Sequence, residues 1–167
     1  MRCDIIRNFT KEDAQEVSDL VALTLRTTNI KDYSAERIEA DILIFNAQYL
    51  VNRMSWTNGY VYCDGEKIAG CGFIGNFWDK KDEACLFTFF VHPDYQGKGI
   101  GRQLINAVEN DEYFLRSKRI EIPASITAVE FYRKFGYDYK NGVTEPDNEQ
   151  LVRLEKFRNE SIIYGGK

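Results

Sequence analysis

The sequence predicts a mixed α/β fold of the α+β kind, with a mostly antiparallel sheet of about seven strands flanked by four helices. Three observations carry this. Apolar runs of strand length recur along the chain, two of them joined through Asp64-Gly65, a strong turn pair for a tight hairpin. Helical spacing of apolar residues appears in blocks, giving the order strand, two helices, three strands, helix, strand, helix, two strands. The stretch Cys85–Glu109 runs from an apolar strand through a turn and a glycine-rich loop straight into a helix.

Taken in order, Met1–Phe9 carries Cys3, Ile5, Ile6 and Phe9 among polar residues and predicts a first strand. Thr10 with Asp13 is a capping-box arrangement. Ala14, Val17, Leu20, Val21 and Leu25 then mark a helix to about Arg26. Ser34 is an N-cap for a second helix, with Ile38, Ile42, Phe45 and Tyr49 on one face. Tyr60–Cys63 and the glycine-rich run from Lys67 to Trp78 form the hairpin strands, and Gly70, Gly72 and Gly75 point to bulges or a close neighbour. Cys85–Val91 is the fourth strand, and the third helix carries Ile100, Leu104, Ile105 and Val108. Lys118–Pro123 predicts a fifth strand. A fourth helix from Ser125 or Thr127 carries Phe131, Tyr132 and Phe135, ended by Gly136. Tyr137–Asn141 and Leu151–Phe157 complete the sheet, and the tail SIIYGGK predicts nothing.

The composition bounds the chemistry. A length of 167 residues suits one domain spanning 1–167. A net charge of -4 argues against a nucleic-acid binder that works by neutralising phosphates. The N-terminus has no apolar signal core and no run approaches a membrane span, so the expectation is a cytoplasmic protein without membrane contact. Four scattered cysteines without a CxxC pair, and one histidine, give poor support for a metal site. An aromatic share of 14% predicts a core or cleft built largely of rings.

The glycine loop, QGKGIG at Gln96–Gly101, opening a helix is a device for holding an anion. It is not the GxxxxGK[ST] phosphate loop, because Ile100 follows where a hydroxyl is needed. Nor is it the dinucleotide fingerprint, since its glycines run GxGxG and the strand before it is the fourth. Gln96-x-x-Gly99-x-Gly101 after Val91-x-Pro93 does resemble the signature of the GNAT superfamily of N-acetyltransferases. Ala128, Phe131-Tyr132 and Gly136-Tyr137 resemble the second half of that pattern at matching spacing. The order of elements is similar across nearly the whole chain, and PASITA before FYRKFGY resembles a bacterial subgroup.

The resemblance implies a GNAT-like fold and transfer of acetyl from acetyl-CoA, without a metal, to a primary amine by direct attack. Strands four and five splay apart in that family to admit the pantetheine arm. Pro123 supports the splay independently, since proline cannot donate a ladder bond. Family position then assigns Phe89, Phe90 and Val91 to the arm, one of their N–H groups polarising the thioester carbonyl. Gln96, Gly97, Lys98, Gly99, Ile100, Gly101 and Arg102 line the pyrophosphate. Ser125 stands where an asparagine commonly contacts the cofactor. Tyr132 matches the tyrosine that often protonates the departing thiolate. Cys85 stands where a base is frequent, which leaves Glu83 or Glu121, or water, to take the amine proton. His92 reads as a surface or turn-capping residue. Asp32 and Tyr33 lie in the segment that usually lines the acceptor site. The acceptor is a small-molecule or peptide amine, and the protein a monomer or homodimer. The rival readings are a non-catalytic acyl-CoA-binding module and a protein N-terminal or lysine acetyltransferase.

Overall fold

The computed structural model describes residues 4–158; Cys3 and the tail SIIYGGK lie outside the described residues. The strands are β1 (Asp4–Asn8), β2 (Thr57–Asp64), β3 (Lys67–Phe77), β4 (Lys80–Val91), β5 (Arg119–Ser125), β6 (Asp138–Tyr139) and β7 (Leu151–Phe157). The helices are α1 (Ala14–Thr27), α2 (Ala35–Ile44), α3 (Ala47–Arg53), α4 (Ile100–Glu109), α5 (Glu112–Leu115) and α6 (Val129–Arg133). One seven-stranded sheet runs in the order β1-β2-β3-β4-β5-β7-β6. β1–β2, β5–β7 and β6–β7 are antiparallel, and β4–β5 is parallel. The parallel pair is the one joined by a long helical crossover, as strand geometry requires.

The fold class holds, while the described residues contain six α-helices where the sequence predicts four. The predicted second helix is two. Phe45 leaves helical geometry at φ -81° and ψ 45°, and Asn46 starts α3. The Asn46 side chain accepts from Tyr49 N–H at 2.9 Å and donates to Leu43 O at 3.0 Å. The apolar spacing from Ile38 to Tyr49 runs across the break and hides it. α5 is capped by Asp111, which accepts from Tyr113 N–H at 2.8 Å. The last helix opens with a 3-10 turn, Ile126–Ala128, so its α-helical part begins at Val129. The hairpin between β2 and β3 turns on Gly65 and Glu66, with Gly65 at φ +62°, so the required glycine sits first in the turn.

The chain falls into two compact units, residues 4–73 with 88–110 and residues 74–87 with 111–158. In the first, α1 buries Val17, Leu20, Val21 and Leu25, the face its spacing predicts. α4 buries Ile100, Leu104, Ile105 and Val108, each contributing about 1.5–3 kcal/mol relative to exposure. Gly70 makes that packing possible, because a Cβ there would meet Leu104 Cδ1 at 2.9 Å and Ile100 Cγ2 at 3.2 Å. A Cβ on Gly72 would stand 2.6 Å from the Phe89 ring. Gly70 and Gly72 are thus seats for close neighbours.

In the second unit, Ile120, Ile122 and Ala124 of β5 are buried, as are Val152 and Leu154 of β7. The ladder between β4 and β5 aligns Glu83, Ala84 and Cys85 with Arg119, Ile120 and Glu121. From Ile122 to Ser125, β5 pairs with β7, with Pro123 opposite Arg153. No helix among the described residues is long and apolar enough to cross a membrane.

Candidate active site

The first unit holds the end of β4 and the glycine loop. β4 is kinked at Thr88, which takes φ +48° in mid-strand. That is a rare conformation for a β-branched residue. The Thr88 hydroxyl accepts from Arg53 and its carbonyl accepts from Cys71 Sγ at 3.3 Å. Burial pushes the Cys71 thiol up to about 12, against the opposing pull of the Phe90 backbone N–H and the Arg53 charge. Phe90 N–H therefore faces Cys71, and His92 N–H donates to Ala69 O at 2.8 Å. Both acceptors belong to β3. Alternate N–H groups of a strand point to opposite edges, so those of Phe89 and Val91 point to the edge away from β3.

The side chains after the kink are half-buried. Phe90 meets Phe45 edge to face, with centroids 6.1 Å apart. Val91 packs on Tyr62, Ala69, Ile100 and Leu104. His92 is buried, and its Nδ1 accepts from Asp94 N–H at 3.0 Å. It caps the turn before the glycine loop but is not a surface residue. Burial lowers its pKa, reinforced by the Lys67 charge and opposed by Asp94.

In the loop, Gly97 and Gly99 take φ +78° and +82°, and nothing lies within 4 Å of where a Cβ would stand on either. The backbone conformation calls for glycine, and the cradle is left open by the protein itself. Ile100 is buried and anchors the first turn of α4, while Gly101 and Arg102 follow on that turn. Tyr95 braces the loop through a 2.6 Å bond from its hydroxyl to Asp64. Lys98 and Lys67 each hold their Nζ 5.4 Å from the Tyr95 ring centre. Gln96 Nε2 donates to Val91 O at 3.1 Å and to the Thr28 hydroxyl at 3.2 Å, tying the loop to the end of α1. Just beyond, Asp32 N–H donates to Asn29 O at 2.9 Å, and the Tyr33 ring lies 5.4 Å from the Arg37 guanidinium.

The second unit holds Glu83, Glu121, Ser125 and Tyr132. The two glutamates belong to one ion network. Arg119 donates to Glu83 at 2.8 Å, to Glu155 at 2.8 Å, and to Glu121. Lys140 Nζ reaches Glu121 at 2.8 Å, and Arg153 lies 3.9 Å from its other oxygen. Burial alone would weaken the Arg119 charge, but its bonds to Glu155, Glu121 and Glu83 outweigh that and raise its pKa. Glu121 is 2% exposed. Ser125 ends β5 and starts the 3-10 turn without a capping bond from its side chain. Tyr132 is 4% exposed and packs edge-on against Phe131 at 5.3 Å and Tyr137 at 6.4 Å.

Each unit thus gathers its own share of the predicted residues. Three further residues were not singled out from sequence. Lys67 adds a further cation beside the loop; its place after a hairpin turn gives no sign of this. Arg53 and Thr88 meet across 35 positions, and nothing local to either announces the contact.

Comparison with known proteins bears on the whole arrangement. Residues 55–139 match the family model described as the acetyltransferase (GNAT) domain. An uncharacterised N-acetyltransferase of Methanocaldococcus jannaschii is 37% identical over 149 residues, 83% of this chain and 62% of that protein. This chain therefore spans less than two thirds of that relative's length. A spermine/spermidine N(1)-acetyltransferase of Bacillus subtilis is 27% identical over 104 residues, 57% of this chain and 67% of that protein. Among solved structures, the PaiA N-acetyltransferase of Thermoplasma acidophilum in complex with coenzyme A superposes with TM-score 0.79 at 19% identity. It covers 93% of this chain and 99% of its own. A GCN5-related N-acetyltransferase of Rhodopseudomonas palustris gives 0.74 at 23% identity, covering 92% and 95%. These two likenesses speak to the fold.

Proposed function

This chain belongs to the GNAT family of acetyltransferases, and on that premise we propose that it moves an acetyl group from acetyl-CoA to a primary amine by direct attack. The observation that carries the reading lies within one unit. Gly97 and Gly99 hold left-handed turns facing open space at the N-terminus of α4, directly after a strand whose Phe89 and Val91 N–H groups point away from β3. Backbone N–H groups and the helix dipole at that turn suit a pyrophosphate without a metal. Lys98, Arg102 and Lys67 add positive charge. The Phe89 and Val91 N–H groups pair with the pantetheine arm, and one of them polarises the thioester carbonyl and stabilises the oxyanion. Ser125 supplies one further cofactor contact.

Tyr132 is assigned as the general acid for the departing thiolate. Its ring is held by two aromatic neighbours, which fixes where the hydroxyl can point. Glu83 and Glu121 are assigned to structure, because cations already occupy their oxygens. The amine then loses its proton to water. Asp32 and Tyr33 are assigned to the acceptor side. Spermine and spermidine head the acceptor list, since two Bacillus subtilis relatives are named for such substrates.

The test is direct. Acetyl-CoA binding is measured by calorimetry, and CoA release is followed with spermine, spermidine, aminoglycosides, amino acids and peptides. Saturable binding with release on one amine class supports the proposal, and no binding overturns it. Tight binding without release on any amine supports the alternative, a non-catalytic acyl-CoA-binding module. The occupied state of Glu83 and Glu121 is the observation in that reading's favour.

A further inference from the structure

We propose that Arg53 is a positioning residue for acyl transfer: through the Thr88 hydroxyl it fixes the kink of β4 and so the direction of the Phe89 and Val91 N–H groups. The inference rests on the acetyl-CoA reading above.

The starting point is the kink itself. A threonine at φ +48° inside a strand does not persist unless its surroundings hold it there. Two contacts of Thr88 do so. Its carbonyl is bonded by Cys71 Sγ at 3.3 Å, and its hydroxyl by the Arg53 guanidinium. The Phe90 N–H opposes the rise of the Cys71 pKa, so the same buried side chain of β3 that bonds Thr88 O lies near the backbone beyond Phe89. The cysteine fixes the main chain, and the arginine fixes the threonine.

Arg53 is suited to that task because it is buried and held on several sides. It is 7% exposed at the end of α3. Its guanidinium also donates to the Tyr49 hydroxyl. The Tyr49 ring centre lies 4.6 Å away and the Trp56 ring centre 5.6 Å away. Its carbonyl accepts from the Thr57 hydroxyl at 2.8 Å. A guanidinium is a rigid planar fork that can bond two hydroxyls at once while stacking on a ring; a lysine ammonium has no such shape.

The consequence for chemistry follows from strand geometry. Successive N–H groups alternate between the two edges, so a one-place shift at Thr88 exchanges them. Phe90 N–H would then face outward, and those of Phe89 and Val91 inward toward β3. A looser kink also misaims the donors by fractions of an ångström, enough to weaken the polarisation of a carbonyl. Arg53 touches neither the thioester nor the amine. It acts through Thr88.

The experiment reads the carbonyl itself. Acetyl-CoA, isotope-labelled at the acyl carbonyl, is bound to the full chain, and its stretching band is recorded by isotope-edited infrared difference spectroscopy. The variants are Arg53→Met, Thr88→Val and Thr88→Ser. Thr88→Val keeps the β-branch and removes the hydroxyl, and Thr88→Ser keeps the hydroxyl. All three should still saturate with acetyl-CoA, because the glycine loop is untouched, with weaker affinity in Thr88→Val and Arg53→Met, where the Phe89 and Val91 N–H groups lose their line to the arm. The band displacement seen in the wild type should persist in Thr88→Ser and fall by about half or more in Thr88→Val and Arg53→Met, as expected for donors moved off their line. Circular dichroism and thermal melting check each fold, and Thr88→Val carries the test if Arg53→Met does not fold. An unchanged band in folded, ligand-bound Thr88→Val overturns the positioning role alone. Failure of the wild-type chain to bind acetyl-CoA overturns the acyl-transfer reading and this inference with it.

Discussion

Glu121→Gln separates a structural carboxylate from a catalytic one. Glu121 is 2% exposed, bonded by Arg119, held by Lys140 at 2.8 Å and faced by Arg153 at 3.9 Å. Removing one partner of a buried ion pair costs about 3–5 kcal/mol, because the charge left behind stays desolvated. Glutamine keeps the shape and one acceptor oxygen, and Arg119 retains Glu83 and Glu155. The lower end, about 3 kcal/mol, is therefore expected. For a chain of this size each kcal/mol moves Tm by about 2–4 °C, so Tm should fall by about 6–12 °C. The assay pairs a thermal melt with CoA release from acetyl-CoA and an accepted amine, measured well below the lowered Tm. A proton acceptor lost from the reaction would instead cut kcat by about a hundredfold or more while leaving Tm nearly in place. An unchanged Tm together with lost turnover would refute the structural assignment and make Glu121 the base.

Three further outcomes are expected. Tyr132→Phe should lower kcat by about a hundredfold with acetyl-CoA affinity unchanged, read by steady-state kinetics and calorimetry; equal turnover removes Tyr132 as the acid. Gly99→Ala should cost about 1–2 kcal/mol in a denaturant melt, because φ is +82° although the added methyl meets nothing; a neutral result would mean that the loop relaxes freely. Asp13 is paired with Arg7 at 2.7 and 2.9 Å, and this bond, chiefly, lowers its pKa from 3.8 against the cost of burial. A folded pKa below the unfolded one gives stability that is present above about pH 3.8 and lost as pH falls through the lowered value. Asp13→Asn should be less stable than wild type at neutral pH, with the gap narrowing below that point in urea melts; a gap independent of pH would contradict the linkage.

What was legible in the sequence is what short-range chemistry decides. The hairpin turn, the α1 stripe and the glycine loop opening α4 each depend on neighbours within a few positions; the last two appear where their patterns predict, and the turn falls one place on, at Gly65 and Glu66. The break between α2 and α3 was legible in principle: Asn46 is a good N-cap, but the apolar stripe of Ile38, Ile42, Phe45 and Tyr49 runs through it. The glutamates show the limit. Sequence shows the acidity of Glu83 and Glu121 and not their company, which comes from Arg119, Lys140, Arg153 and Glu155, scattered over two strands and a loop. Thr88 is a sharper case. Threonine favours strands, and the groups that bond Thr88 at φ +48° come from far along the chain, an arginine of α3 and a cysteine of β3.

The burial of the thiols has a consequence for how acetyl groups can travel. Cys63, Cys71 and Cys85 are at most 4% exposed, and burial raises the pKa of Cys63 and Cys71. A thioester exchanges readily with an accessible thiolate, and an exposed low-pKa cysteine beside acetyl-CoA would acetylate itself. The described thiols are shut away from that reaction. If acetyl-CoA binds as proposed, it can wait for an acceptor without losing its acetyl group to these three sulfurs.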